Sequence, residues 1–167
     1  MKTIILVRHA KSSWKDLNLD DFDRPLNKRG KNNAPLMGQK LKERKIIPDL
    51  ILSSPAKRAR KTAAAIAKAI GYPKKKIAFD DRMYHASARY LFEIVKNLDD
   101  KHETIMLFGH NPELNDLANM LLKNNPILNI VTTGVYCIKF NVDQWQNVRE
   151  GKGRSVFYDY PRRYQAE

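Results

Sequence analysis

Short apolar runs alternate with longer amphipathic stretches along the chain. Thr3 to Val7, Leu50 to Leu52, Ile77 to Phe79 and Thr104 to Phe108 are continuous apolar or β-branched runs. That is the pattern of strands buried on both faces. Between them the period changes to that of a helix. Lys28 to about Lys45 carries Leu36, Met37 and Leu41 on one face, with Asn27 placed to cap it and Gly30 and Pro35 weakening its first turns. Pro55 to Ile70 carries Ala59, Ala63, Ile66, Ala67 and Ile70, with Ser54 as expected cap, Pro55 at the first helical position and Gly71 beyond its end. Ser87 to Leu98 turns Leu91, Ile94, Val95 and Leu98 inward, and a helix from Pro112 to about Lys123 does the same with Leu114, Leu117, Ala118, Leu121 and Leu122. After a loop opening at Asn124-Asn125-Pro126, Thr133 to Phe140 and Ser155 to Tyr160 read as two further strands. The turn-rich stretch 143–153 between them suits an antiparallel pair. Strands alternating with helices predict an α/β fold with a parallel sheet, and 167 residues suit one domain spanning 1–167.

The strand ends carry the candidate chemistry. The first run stops at Arg8-His9-Ala10, followed by Lys11, Ser12 and Ser13. The second stops at Ser53-Ser54 and feeds a helix whose first turn holds Arg58. The run at Thr104 to Phe108 stops at Gly109-His110-Asn111-Pro112. Ligands of open α/β sheets bind beyond the carboxyl ends of the strands. A polar strand end alone is commonplace. Three that converge are not, and adjacent parallel strands would bring these together. Two arginines are fork-shaped donors matched to a dianionic phosphate, and two histidines offer a nucleophile and a hydrogen-bond donor. The acidic, aperiodic loop 16–27, which ends near Pro25, follows the first strand end and is placed to lie over such a site. Trp14 either lines the site or packs beside it, whereas His102 and Trp145 read as structural.

Composition narrows the classes. Lysine plus arginine number 31 against 18 acidic residues, a net charge of +13, which attracts anions without choosing among them. The densest basic stretch, Lys57 to Lys76, contains no acid. It suggests a nucleic-acid-binding module as a reading from another class, but it lacks aromatic interleaving and any recognised binding motif. The histidines lack a ligand-spaced Cys or carboxylate cluster, so no metal is expected. Gly-rich Walker and dinucleotide fingerprints are absent, so no nucleotide cofactor is expected. The lone cysteine, Cys137, sits in an apolar run and reads as an inert core residue. Few apolar residues precede Arg8 and no run reaches membrane-spanning length, so a cytoplasmic protein is expected.

These motifs resemble the histidine phosphatase superfamily, which includes the cofactor-dependent phosphoglycerate mutases. Arg8-His9-Ala10 is similar to its Arg-His-Gly hallmark, with Ala in place of Gly. Ser54-Pro55-Ala56-Lys57-Arg58 through Thr62 matches its Ser-Pro-x-x-Arg-x-x-x-Thr segment, and Gly109-His110 its second histidine motif. The short length, Arg8 to Trp14 and Asp23-Arg24-Pro25-Leu26 look like the SixA branch of protein phosphohistidine phosphatases. The resemblance implies a phosphoglycerate mutase-like three-layer sandwich, with a mixed, mostly parallel central sheet and helices on both faces. It implies a metal-independent phosphatase acting through a phosphohistidine enzyme intermediate, with His9 as nucleophile. Arg8, Arg58 and His110 would hold the phosphoryl oxygens, and Ser12 and Asn111 would add hydrogen bonds.

The expected substrate is phosphohistidine on a protein, and the alternative is a small phosphate ester. Ester-cleaving relatives use a carboxylic general acid. Asp81 falls near the corresponding segment, with His85 as another candidate. A phosphoramidate tolerates the lack of a strong acid, because its P–N bond is labile.

Overall fold

The computed structural model describes residues 1–124 and 129–165. Six strands form one sheet: β1 (Lys2–Arg8), β2 (Leu50–Ser53), β3 (Ala78–Phe79), β4 (Thr104–Gly109), β5 (Val135–Phe140) and β6 (Arg154–Asp159). Their order is β3-β2-β4-β1-β5-β6. The first four strands in that order are parallel, and β5 runs antiparallel to both β1 and β6. Four helices, α1 (Lys28–Glu43), α2 (Lys57–Ile70), α3 (Ala88–Lys96) and α4 (Glu113–Leu121), cover the sheet.

The period-two alternation of β1 and β4 splits the core into two layers. Ile4, Leu6, Ile105 and Leu107 pack with Leu91, Val95, Leu114, Leu117 and Leu121 of α3 and α4. Ile5, Val7, Met106 and Phe108 pack with Met37, Leu41, Ala63 and Ile66 of α1 and α2. Each fully buried leucine of α4 contributes about 1.5–3 kcal/mol relative to exposure. The result is the expected three-layer α/β sandwich with a mixed, mostly parallel sheet. The antiparallel β5–β6 pair also forms, with a register shift between Cys137 and Ile138. Cys137 is buried, and burial pushes its thiol up to about 11, so it is inert. Trp145 is fully buried and donates from Nε1 to the His102 carbonyl. Among the described residues, no helix is long and apolar enough to cross a membrane.

Several element ends move. The first helix stops at Glu43 because Lys45 takes a positive φ of 60°. The second starts at Lys57, and Ala56, not Ser54, is its N-cap, without a side-chain bond. The Ser54 hydroxyl is occupied instead by the Ala56 N–H, at 3.2 Å, and by a histidine ring. The last two helices end at Lys96 and Leu121, short of Leu98 and Lys123. Thr133 is not in a strand: its φ of 60° turns the chain into β5. Of the loop expected from Asn124, Asn125 and Pro126 lie outside the described residues.

Candidate active site

The strand order puts β4 between β2 and β1, so the three polar strand ends are neighbours. The register levels them. Arg8 pairs with Gly109, and Ser53 pairs with Phe108. One residue further on, the His9 N–H donates to the Gly109 carbonyl at 3.0 Å, and the Ser54 N–H to the Phe108 carbonyl at 2.9 Å. The His9 and His110 rings then face each other with centroids 5.2 Å apart.

Each histidine has one nitrogen fixed. His9 Nδ1 lies 2.7 Å from the Ala10 carbonyl oxygen, which can only accept, so Nδ1 carries the proton and Nε2 keeps its lone pair. His110 Nε2 lies 2.8 Å from Ser54 Oγ. That oxygen also accepts from the Ala56 N–H; in the tautomer in which the Ser54 hydroxyl donates to Nε2, the His110 proton sits on Nδ1. Burial is the main reason both imidazoles stay neutral. It lowers His9 to about 4 against the pull of the Ala10 hydrogen bond, with Arg58 and Arg8 adding to the fall. It lowers His110 to about 3, helped by His9 and Arg58.

The arginines are anchored at their tips. Arg8 Nη1 donates to the Ile130 carbonyl at 3.0 Å. Arg58, 6% exposed, donates from Nη1 to the Asp21 backbone carbonyl at 2.7 Å and from Nη2 to Asp21 Oδ2 at 3.0 Å. Thr62, one turn along α2 from Arg58, accepts from the Ala10 N–H at 2.8 Å and donates to the Arg58 carbonyl at 2.7 Å. It thus stitches the exit of β1 to the helix that carries Arg58.

Four buried side-chain polar atoms among the described residues have no hydrogen-bond partner: Arg8 Nε, Arg58 Nε, His110 Nδ1 and Thr133 Oγ1. Buried donors are normally satisfied, and each one that is not asks for a reason. Three of the four belong to Arg8, Arg58 and His110. With the free Nε2 of His9 they form a cluster rich in donors with one nucleophile, suited to an oxyanion. Thr133 joins the cluster through its backbone, since its N–H donates to the carbonyls of both Arg8 and His9 at 3.1 Å.

The remaining expected residues are placed differently. Ser12 Oγ accepts from Arg24 Nη1 at 2.6 Å. The Asn111 carboxamide braces the backbone, donating to the Ile130 carbonyl at 2.8 Å and accepting from the Asn115 N–H at 3.1 Å. Asp81 is exposed, in a single 3-10 turn, and no side-chain hydrogen bond or ion pair joins it to the cluster. His85 is nearer, its ring 4.0 Å from that of Tyr84, which in turn lies 5.7 Å from His110. Trp14 is exposed and stacks under the Arg24 guanidinium at 3.5 Å.

The loop 16–27 contributes more than its sequence discloses. Asp21 Oδ2 accepts from Arg58 and from the Tyr84 hydroxyl at 2.6 Å, and Oδ1 accepts from Arg24 Nε at 3.0 Å. Burial alone would raise this carboxyl. The hydrogen bonds from Tyr84, Arg58 and Arg24 outweigh it and hold Asp21 well below the usual carboxylate range. The available signal was the acidic cluster Asp20-Asp21-Asp23 in a strongly basic chain. Nothing in the sequence pattern points to Tyr84 or Arg24 as its partners.

Comparisons with known proteins bear on the family and the fold. The family described as histidine phosphatase superfamily (branch 1) matches residues 4–84. An uncharacterised chloroplast protein of Arabidopsis thaliana is 38% identical over 128 residues, 72% of this chain and 59% of that protein. The chain thus spans under two thirds of that relative. An uncharacterised protein of Mycobacterium tuberculosis is 35% identical over 115 residues, 69% of each chain. A solved structure assigned as the phosphohistidine phosphatase SixA of Agrobacterium tumefaciens superposes with a TM-score of 0.83 at 26% identity, covering 96% of this chain and 98% of that one. With the motif residues in order, the sheet topology and these matches in agreement, the chain belongs to the histidine phosphatase superfamily, in its SixA-type branch.

Proposed function

We propose that the protein is a phosphatase that transfers a phosphoryl group to His9 and then to water. The observation that carries this reading is the set of unpartnered buried donors on Arg8, Arg58 and His110 around a histidine whose Nε2 is free. In the first step Nε2 attacks phosphorus, the N–P bond forms and the bond to the leaving group breaks. In the second, water attacks the phosphohistidine, phosphate departs and His9 regains its lone pair. Arg8, Arg58 and the His110 Nδ1–H stabilise the equatorial oxygens as charge shifts in transfer.

We further propose phosphohistidine on a protein as the substrate. Asp21 is the carboxyl group hydrogen-bonded into the cluster, and its three donors keep it ionised. It cannot hand a proton to an alkoxide leaving group at neutral pH. A phosphorylated imidazole needs no such acid, because protonation at its second nitrogen makes it leave as neutral imidazole. A small phosphate ester is the alternative substrate. It draws support only from His85, the titratable group beside Tyr84 that could supply the proton.

The test is a trapping experiment with a radiolabelled phosphohistidine protein, quenched during turnover. The expected result is an acid-labile, base-stable label on the enzyme, missing from His9→Ala. A label on another residue, or turnover by folded His9→Ala equal to that of the parent, refutes the mechanism. Comparing phosphohistidine protein with sugar and nucleotide phosphates separates the two substrate readings.

A further inference from the structure

A second feature borders the site and is not used by the chemistry. Between α1 and α2 lies a cleft of about 420 Å³ lined by Pro25, Leu26, Lys31, Ala34, Lys57, Lys61 and Ala65. Its floor is apolar and its rim carries three lysines. None of the three is in an ion pair among the described residues. The helix that supplies two of them contains no acidic residue. Lys31 and Lys61 are exposed, and Lys57 is half-buried. Leu26 and Ala34 form one buried cluster with Ala10, the residue after His9, and Ala65 packs against it. Lys57 immediately precedes Arg58. One end of the cleft therefore abuts the phosphate cluster.

We propose that this cleft is the docking surface for an acidic segment of the phosphorylated protein, next to the phosphorylated side chain. The proposal rests on the phosphatase reading of the adjacent site. Charge complementarity selects the occupant: three ammonium groups outside any ion pair, two of them on an acid-free helix, call for carboxylates. The apolar floor calls for side chains such as Leu or Val between those carboxylates, with the lysine stems lying along them. No aromatic residue lines the cleft. A groove that holds single-stranded nucleic acid offers aromatic faces for the bases, so the lining favours an acidic polypeptide over RNA or DNA. The position favours it too. A polypeptide advances about 3.3 Å per extended residue, so a few residues beyond the phosphorylated one cross the cleft.

The experiment uses the double variant Lys31→Glu/Lys61→Glu, both positions being surface sites outside the phosphate cluster. A fluorescein-labelled peptide rich in Glu and Leu should bind the parent chain, weaken with added salt, and bind the variant about tenfold or more weaker. With phosphohistidine carried on an acidic protein, kcat/KM should fall by the same factor, through KM. Free phosphohistidine should be turned over equally by both forms. The peptide arm reads the cleft even if the chain proves not to be a phosphatase, so the two readings fail separately. Equal peptide binding by parent and variant, or no binding by the parent, overturns the proposal. So does tighter binding of a single-stranded RNA than of the peptide, or an equal loss on free phosphohistidine.

Discussion

At His9 a single backbone carbonyl and the surrounding burial act on different properties of one ring. The Ala10 oxygen fixes which nitrogen is free, and burial lowers the ring to about 4, so the proposed nucleophile is neutral well below physiological pH. The acid limb of kcat/KM, corrected for the substrate's own titration, should therefore fall through about pH 4. A limb centred on the ordinary histidine value of about 6.5 would contradict a neutral, buried His9 as the proposed nucleophile. Asp21 works at one remove, through Arg58. Asp21→Ala removes the Nη2 partner and leaves the bond from Nη1 to the backbone carbonyl, so Arg58 keeps one of its two anchors. Its kcat should fall about tenfold, less than the 10²–10³ expected for Arg58→Ala, with KM and circular dichroism separating misorientation from unfolding. Arg8, His9, Arg58 and His110 were legible because each lies within two residues of the end of an apolar run or in the first turn of the helix after one. Asp21 and Arg24 were not, because they lie in an aperiodic loop whose path no period encodes. For the same reason Asp81 was expected at the site, whereas Tyr84, three residues later, is the side chain that reaches Asp21.

The elements themselves were readable from their periods, and their ends were not. The start of α2 shows why. Ser54-Pro55 has the chemistry of a cap followed by a first helical turn, but the Ser54 hydroxyl is drawn to His110, and the helix begins at Lys57. A local signal gave way to a contact with a residue from another strand end. Thr62 is the converse case, a helix residue whose hydroxyl serves the strand beside it. Thr62→Val keeps the volume and leaves the buried Ala10 N–H without its acceptor. That should cost about 1–3 kcal/mol in a denaturant titration and disturb turnover as well, since Ala10 holds the His9 ring. Gly30 makes a comparable demand on α1. A Cβ there would collide with the Lys11 carbonyl oxygen, so Gly30→Ala must push α1 away from the loop that follows His9.

For the molecule as a whole, the same buried imidazoles make stability depend on pH. An unfolded histidine takes up its proton near 6.5, whereas in the folded chain His9 waits until about 4 and His110 until about 3. Between these values the unfolded state binds more protons, so stability falls as pH drops from 6.5. His9 alone accounts for a loss of about 3 kcal/mol on passing to its folded value. Urea midpoints should therefore decline steeply between pH 6.5 and 4, and His9→Ala should flatten that slope. Finally, the sheet order governs how the protein is made. The strand that ends at Arg8, just before His9, lies in the interior of the sheet, and its Thr3 pairs with both Thr104 and Lys139. Thr133 then ties down the carbonyls of Arg8 and His9. During synthesis this apolar strand emerges about 100 residues before β4, its first sheet partner, and about 130 before β5, its second. A nascent chain halted before residue 133 has His9 and the Ala10 and Gly109 carbonyls that hold it, but lacks the Thr133 N–H that ties down the carbonyls of Arg8 and His9, so the proposed site is completed only after β5 begins to emerge.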